Sequence, residues 1–172
     1  LEKLRLVSIL SPLGKVNYRG SYHTGLMTWP DIDIHVEGQI TDDQFFQVVQ
    51  SLFKKRTQVK SLHVADYRLG ENPNYPMGLY LGMKCIGEQF KEWKIDVWFV
   101  ADDSEHTFDE WLIKNLTPEK KQQILEIKNV VADHPKYRKE ILSVDIYKAV
   151  IEHAVSNLEE FKSYLHTVGK SL

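Results

Sequence analysis

The run Asp31-Ile32-Asp33-Ile34-His35-Val36 alternates polar and apolar residues without a break. In a strand, that alternation sends Ile32, Ile34 and Val36 to one face of a sheet and Asp31, Asp33 and His35 to the other. Residues two apart on one strand face stand about 6.5–7 Å apart, so Asp31 and Asp33 project side by side. A chain built around this segment needs a sheet with one face packed on a core and an acidic pair on the opposite face. A second run, Lys94-Ile95-Asp96-Val97-Trp98-Phe99-Val100, is apolar enough for a largely buried strand and carries one isolated acid, Asp96. An ionised carboxylate in such a strand is costly unless a cation or hydrogen bonds compensate it.

Three carboxylates on two strands have the composition of a site for a hard cation. Mg²⁺ takes oxygen ligands and usually binds through one or two protein carboxylates together with the phosphates of a substrate. Two ions about 3.5–4 Å apart would activate an attacking hydroxyl and steady the leaving oxygen of an in-line displacement, an arrangement that uses a third acid. Gly20-Ser21 precedes Asp31 with nine residues between them. Each feature alone has a plainer reading: Asp-x-Asp as a solvated strand face, Gly-Ser as a turn, and Asp96 as the partner of Lys94 or of an arginine elsewhere. Their occurrence together and in this order favours the metal and phosphate reading.

The segments Tyr18-Arg19-Gly20-Ser21-Tyr22-His23-Thr24-Gly25, Asp31-Ile32-Asp33-Ile34-His35-Val36 and Ile95-Asp96-Val97 resemble the signature of the nucleotidyltransferase superfamily, which includes DNA polymerase beta, the tRNA CCA-adding enzymes and small antibiotic-modifying transferases. The resemblance covers residues 16 to 100. It implies an α+β fold, a nucleotidyltransferase-like mixed β-sheet flanked by helices. It also implies that Gly20 and Ser21 cradle a triphosphate, that Asp31 and Asp33 bind Mg²⁺ or Mn²⁺, and that Asp96 completes the site as a metal ligand or as the base for the acceptor hydroxyl. Two positions depart from the pattern. Thr24 stands where small members of the family carry an arginine, so any phosphate contact made by that arginine falls to Arg19, His23 or a lysine elsewhere. Trp29-Pro30 replaces the common serine before the first acid, and proline is tolerated at a first strand position.

At 172 residues the chain is long enough for one compact domain, or for a small domain with a helical appendage. The net charge of −2 and the short basic clusters Lys54-Lys55-Arg56 and Lys120-Lys121 lack the aromatic-interleaved basic stripe of a polynucleotide binder. A small-molecule acceptor is therefore expected beside the nucleoside triphosphate, with a tRNA end or a protein side chain left open. The single cysteine, Cys85, excludes an internal disulfide and suits a reducing cytoplasm. Its apolar neighbours favour a core role over that of a thiol nucleophile. No stretch approaches the roughly 20 apolar residues of a membrane-spanning helix. The chain begins at Leu1, which leaves a trimmed leader or tag open.

Along the chain, residues 2–12 read as a helix and Lys15 to Ser21 as a strand. Thr41 and Gln44 have capping-box spacing for a helix reaching Lys55, with Phe45, Phe46, Val49, Leu52 and Phe53 as its buried face. Strands are expected at Ser61 to Leu69, Met77 to Cys85 and Phe90 to Val100, the last two paired as a hairpin that brings Asp96 toward the sheet centre. Gly70 to Pro76 is dense in turn residues, as in a hairpin connection or a lid. From Ala101 the pattern turns helical, giving a nucleotidyltransferase core over residues 1–103 and a C-terminal helical region over residues 104–172. Asp103 or Ser104 would cap the first helix, and Thr117-Pro118-Glu119 would open the next. The last helix is expected from Ser143 to Thr167. Its apolar residues, from Val144 and Tyr147 to Leu165 and Val168, form a heptad seam that would pack on a neighbouring helix or on a second copy in a homodimer.

Three functions follow. The leading one is a transferase that moves a nucleoside monophosphate from a nucleoside triphosphate to a hydroxyl acceptor, releasing pyrophosphate. The second is a non-catalytic nucleotide-binding or regulatory module on the same fold, favoured by the missing arginine and opposed by the retained acids. The third is a metal-dependent phosphohydrolase, suggested by the row Asp31, Asp33, His35, because imidazole suits zinc and transition metals better than magnesium. No Cys/His cluster accompanies that row, and a surface histidine at the strand's end is the plainer reading of His35.

Overall fold

A computed structural model describes residues 4–69, 75–87, 92–104 and 107–172. The chain divides into two compact units. The first contains a five-stranded sheet, with β1 (Lys15–Arg19), β2 (Asp31–Glu37), β3 (Val59–Asp66), β4 (Gly78–Ile86) and β5 (Glu92–Val100) in the order β1-β2-β5-β4-β3. Only β2 and β5 pair in parallel; the other neighbours are antiparallel. The same unit carries α1 (Leu6–Leu10), a 3₁₀ turn at Ser11–Leu13, α2 (Gly20–Thr24) and α3 (Asp42–Phe53).

Alternation along the central strands sets the core. Ile32 pairs with Ile95, Ile34 with Val97 and Val36 with Phe99. Leu81 and Met83 of β4 continue the same rows. All of these residues are buried, together with Leu6 and Leu10 of α1 and Phe45, Val48 and Leu52 of α3. Each such side chain contributes about 1.5–3 kcal/mol when fully removed from water. The ring of Phe45 meets that of Phe99 edge to face at 5.3 Å. Cys85 lies in this core, and burial pushes its thiol up to about 11, which leaves it an unreactive apolar residue.

The capping box forms as expected: the Thr41 hydroxyl accepts from the Gln44 amide, and the Gln44 side chain accepts from the Thr41 amide. The buried face of α3 differs from the expectation. Val48 is buried, while Phe46 and Phe53 are each 59% exposed. Phe46 and Phe53 flank the Phe45–Val48–Leu52 stripe, whose i, i+3, i+7 spacing is narrower than the face expected from apolar content. Most of the Gly70 to Pro76 connection, expected as a turn or lid, lies outside the described residues.

The second unit consists of Leu26–Thr28 with α4 (Thr107–Asn115, from Phe108), α5 (Pro118–Val131), α6 (Ser143–His153) and α7 (Leu158–Thr167). Thr117 caps α5 by accepting from the Lys120 amide, with Pro118 at the first helical position. Lys128 is buried here, its ammonium donating to the Leu26 carbonyl at 2.7 Å and to the Tyr147 hydroxyl at 3.0 Å. The single helix expected from Ser143 to Thr167 is broken. Ala154 takes a left-handed conformation with φ 54°, and the Asn157 side chain accepts from the Glu160 amide to start α7. The heptad seam is interrupted at Ala154, and Phe161 and Leu165 are buried in the unit's own core, so the seam packs within the chain, the first of its two expected partners. Among the described residues no helix is long and apolar enough to cross a membrane.

Candidate active site

The polar face of the sheet in the first unit is organised by register. Asp33 of β2 lies opposite Asp96 of β5, and Asp31 lies opposite Lys94. One carboxylate oxygen from each of Asp31, Asp33 and Asp96 lies within 4.8 Å of the others. The three acids singled out from the sequence are thus brought together, and among the described residues this is the one carboxylate, histidine or cysteine cluster with metal-ligand spacing. The donor set is oxygen only and fits a hard divalent cation.

Lys94 accompanies the triad. Its ammonium is 2.5 Å from Asp96 Oδ2 and 3.5 Å from Asp31 Oδ1. Burial works against its charge, but the hydrogen bond to Asp96 and the charges of Asp96, Asp31 and Asp33 outweigh that and hold its pKa above the usual lysine value. The Lys94 partnership expected as an alternative to a metal role for Asp96 is therefore present within the triad itself.

Gly20 closes one side. It sits at φ +62°, at the junction of β1 and α2, and a Cβ there would lie 2.6 Å from Asp33 Oδ2. Without a side chain, Gly20 brings the backbone this close to the carboxylate with no shift of Asp33 and no strain at the positive φ. Ser21 follows in the first turn of α2. Thr24, where the resemblance led to an expected arginine, is buried and donates its hydroxyl to the Gly20 carbonyl at 3.1 Å, tying the short helix to the glycine turn.

Tyr80 of β4 fixes the third acid, because its hydroxyl donates to Asp96 Oδ1 at 2.8 Å. The side chain passes over Gly82, where a Cβ would meet the hydroxyl at 2.3 Å, and Gly82 is the β4 partner of Asp96. Burial first, then the bond to Asp96, raises the Tyr80 pKa, so the phenol stays protonated and donating. Tyr80 also packs on Trp98 at 4.8 Å between ring centres. Sequence reasoning missed Tyr80, since only strand register shows that Gly82 faces Asp96.

On the β1 side of the same polar face, Asp103 is buried and accepts from Asn17 at 2.6 Å and from the Arg19 guanidinium; it also pairs with His35 Nδ1 at 2.6 Å. Burial alone would raise the pKa of Asp103, but the bonds from Arg19, Asn17 and His35 overcome it and hold the carboxyl below its ordinary value. This arrangement bears on three expectations. Asp103, expected as a cap, is buried against β1 and β2, and the residues between it and α4 lie outside the described ones. His35 is neither a surface residue nor a member of the metal cluster; it is buried against Asp103. Arg19, a candidate for replacing the missing phosphate-binding arginine, is held by Asp103. His23 is exposed on α2.

No protein-family model and no curated protein matches the sequence. Among solved structures the chain is similar to the Cid1 poly(U) polymerase bound to Mg 3′-dATP, with a TM-score of 0.50 and 14% identity over 77% of this chain and 39% of that one. It is also similar to a cytoplasmic RNA terminal U-transferase, with a TM-score of 0.48 and 18% identity over 77% of this chain and 37% of that one. The chain thus spans about two fifths of the length of the polymerase. The mixed five-stranded sheet flanked by helices is the nucleotidyltransferase fold, as the resemblance in the signature segments implies. The likeness concerns that fold.

Proposed function

We propose that the chain is a metal-dependent nucleotidyltransferase that moves a nucleoside monophosphate from a nucleoside triphosphate to a hydroxyl acceptor and releases pyrophosphate. The observation that carries this reading is the convergence of Asp31, Asp33 and Asp96 from two adjacent parallel strands, beside a glycine turn at positive φ that brings the backbone against Asp33. A non-catalytic binding module has no need to keep three carboxylates crowded together at the cost of their mutual repulsion. The phosphohydrolase reading loses its histidine, since His35 is committed to Asp103.

In this reading Asp31 and Asp33 hold Mg²⁺ or Mn²⁺, and Asp96 is the third ligand or the group that takes the acceptor hydroxyl's proton. The ions, when bound, supply Lewis-acid stabilisation of charge on the transferring phosphoryl group. Gly20 allows the triphosphate to approach the backbone, and Ser21 offers its hydroxyl and amide as donors. Tyr80 holds one oxygen of Asp96, so the orientation of the other is set before substrate arrives. In this reading the first unit, which carries the acids and the glycine turn, is the catalytic core, and the helical second unit has its own hydrophobic core. The acidic balance and the lack of a basic stripe support a small-molecule acceptor, with tRNA and protein hydroxyls as the alternatives to assay. The lone, buried Cys85 supports a cytoplasmic setting.

The test is a thermal-shift titration with ATP, GTP, CTP and UTP, with and without Mg²⁺ or Mn²⁺, on wild type and Asp33→Asn. A ligand that binds only the folded state adds about 2.7 kcal/mol at a hundred times its dissociation constant. Stabilisation by a triphosphate only with metal, lost in Asp33→Asn, is the expected result. A wild type that no nucleotide shifts would overturn the transferase reading for the chain alone and move a regulatory module that works through a partner ahead.

A further inference from the structure

We propose that Lys94 is a built-in counter-cation of the carboxylate triad, which holds Asp31 and Asp96 together before a divalent ion arrives and is displaced when one binds. The inference rests on the metal site of the nucleotidyltransferase reading and adds a residue to it. The geometry is that of a bridge. Asp31 and Lys94 are direct partners across the β2–β5 pair, and Asp96 lies two residues along the same face of β5. The Lys94 ammonium therefore reaches both acids at once, at 3.5 Å from Asp31 Oδ1 and 2.5 Å from Asp96 Oδ2. These two oxygens belong to residues that would also ligate the ion.

An ammonium carries one charge and donates hydrogen bonds, whereas a divalent ion carries two and binds the oxygens directly, so the two compete for the same acids. The lysine can leave at low cost, because its side chain is 43% exposed on a flexible four-carbon stem. It also has a second station nearby. The ammonium already lies 6.0 Å from the centre of the Trp29 ring, within reach of a cation–π contact that would hold it once the acids are taken. Crowded carboxylates would otherwise repel one another before metal binds, so Lys94 maintains the arrangement at the expense of some metal affinity.

The experiment is Mn²⁺ binding to the nucleotide-free protein by isothermal titration calorimetry, for wild type, Lys94→Met and Lys94→Gln, with the melting temperature of each measured in chelator and in Mn²⁺. Both variants should bind Mn²⁺ roughly fivefold more tightly than wild type, the factor that a partly exposed ion pair supplies. In chelator they should melt lower than wild type, and Mn²⁺ should raise their melting temperatures by more. The two substitutions remove the charge from an unbranched side chain with and without a polar end, so a folding failure of one leaves the other to decide. A lysine with a merely structural role would lower the metal-free melting temperature without tightening Mn²⁺ binding, and unchanged or weaker binding in the variants overturns the inference while leaving the metal site intact. A wild type and variants that all fail to bind Mn²⁺ overturn this inference and the metal-site reading together.

Discussion

Replacing Gly20 with alanine tests the site at its tightest point. The residue sits at φ +62°, and the added Cβ would lie 2.6 Å from Asp33 Oδ2. The left-handed backbone costs an alanine about 1–2 kcal/mol. For a chain of this size, each kcal/mol lowers the melting temperature by about 2–4 °C, so a drop of roughly 2–8 °C is expected from the backbone alone. The clash acts elsewhere. The Asp33 carboxylate is the end of a flexible side chain and can rotate away, so the contact should cost little folding energy but should displace one of the three carboxylates of the proposed metal site. A misplacement of about 1 Å in a catalytic group can cost 10²-fold in rate. The assay pairs pyrophosphate release with Mn²⁺ affinity, for Gly20→Ala in the wild-type and Asp33→Ala backgrounds. Gly20→Ala should lose metal affinity and turnover in the wild-type background, while its effect on melting temperature should be the same in both. Wild-type Mn²⁺ affinity and turnover in Gly20→Ala would refute the argument that the close approach of Gly20 positions Asp33.

Four further outcomes are expected. Asp96→Asn should abolish transfer while keeping the fold, and because it removes a partner of Lys94, it should not stabilise the metal-free protein; a melting temperature clearly above wild type would contradict the Lys94–Asp96 pairing. Tyr80→Phe removes one hydrogen bond worth about 1 kcal/mol and frees Asp96 to rotate, so turnover should fall with little change in the Michaelis constant for nucleotide; an unchanged turnover number would show that Asp96 needs no such partner. Removing Arg19 by alanine leaves Asp103 buried without its main cation and should cost about 3 kcal/mol in urea unfolding. The carboxyl of Asp103 titrates lower folded than unfolded, so its stabilisation is complete above the unfolded value of about 3.9 and is lost as pH falls through the lower folded value. Stability of Asp103→Asn should therefore depend less on pH between 5 and 2 than that of wild type, and equal slopes would refute the assignment.

Much of the first unit was legible because its information is local. Period-two alternation in β2, the Thr41–Gln44 box and the apolar run around Asp96 all express themselves within a few residues. The triad was legible because alternation places Asp31 and Asp33 on one face, and the hairpin of β4 and β5 sets Asp96 near the sheet centre. What stayed hidden depends on pairing across long separations. Asp103 reaches residues 86, 84 and 68 positions away, and nothing in Ala101-Asp102-Asp103-Ser104 distinguishes it from a cap. Tyr80 and Gly82 gain their meaning only from the register that sets Gly82 opposite Asp96. The break in the last helix did leave a trace, since Asn157 three residues before Glu160 is a start signal inside an otherwise helical pattern. Ala154 concealed it, because alanine is the best helix former and here takes a left-handed turn.

The parallel pairing of β2 with β5 also dictates when, during synthesis, the site can exist. Asp31 and Asp33 leave the ribosome long before Asp96, and everything from α3 through β4 must be made before β5 can insert between β2 and β4. Strand insertion at that separation is slow relative to local helix and hairpin formation. A nascent chain ending before residue 92 has the first two acids and the glycine turn but no third carboxylate and no Lys94. Capture of a divalent ion by the triad would therefore report completion of this unit, with the last strand to arrive supplying both the acid that finishes the site and the amine that guards it.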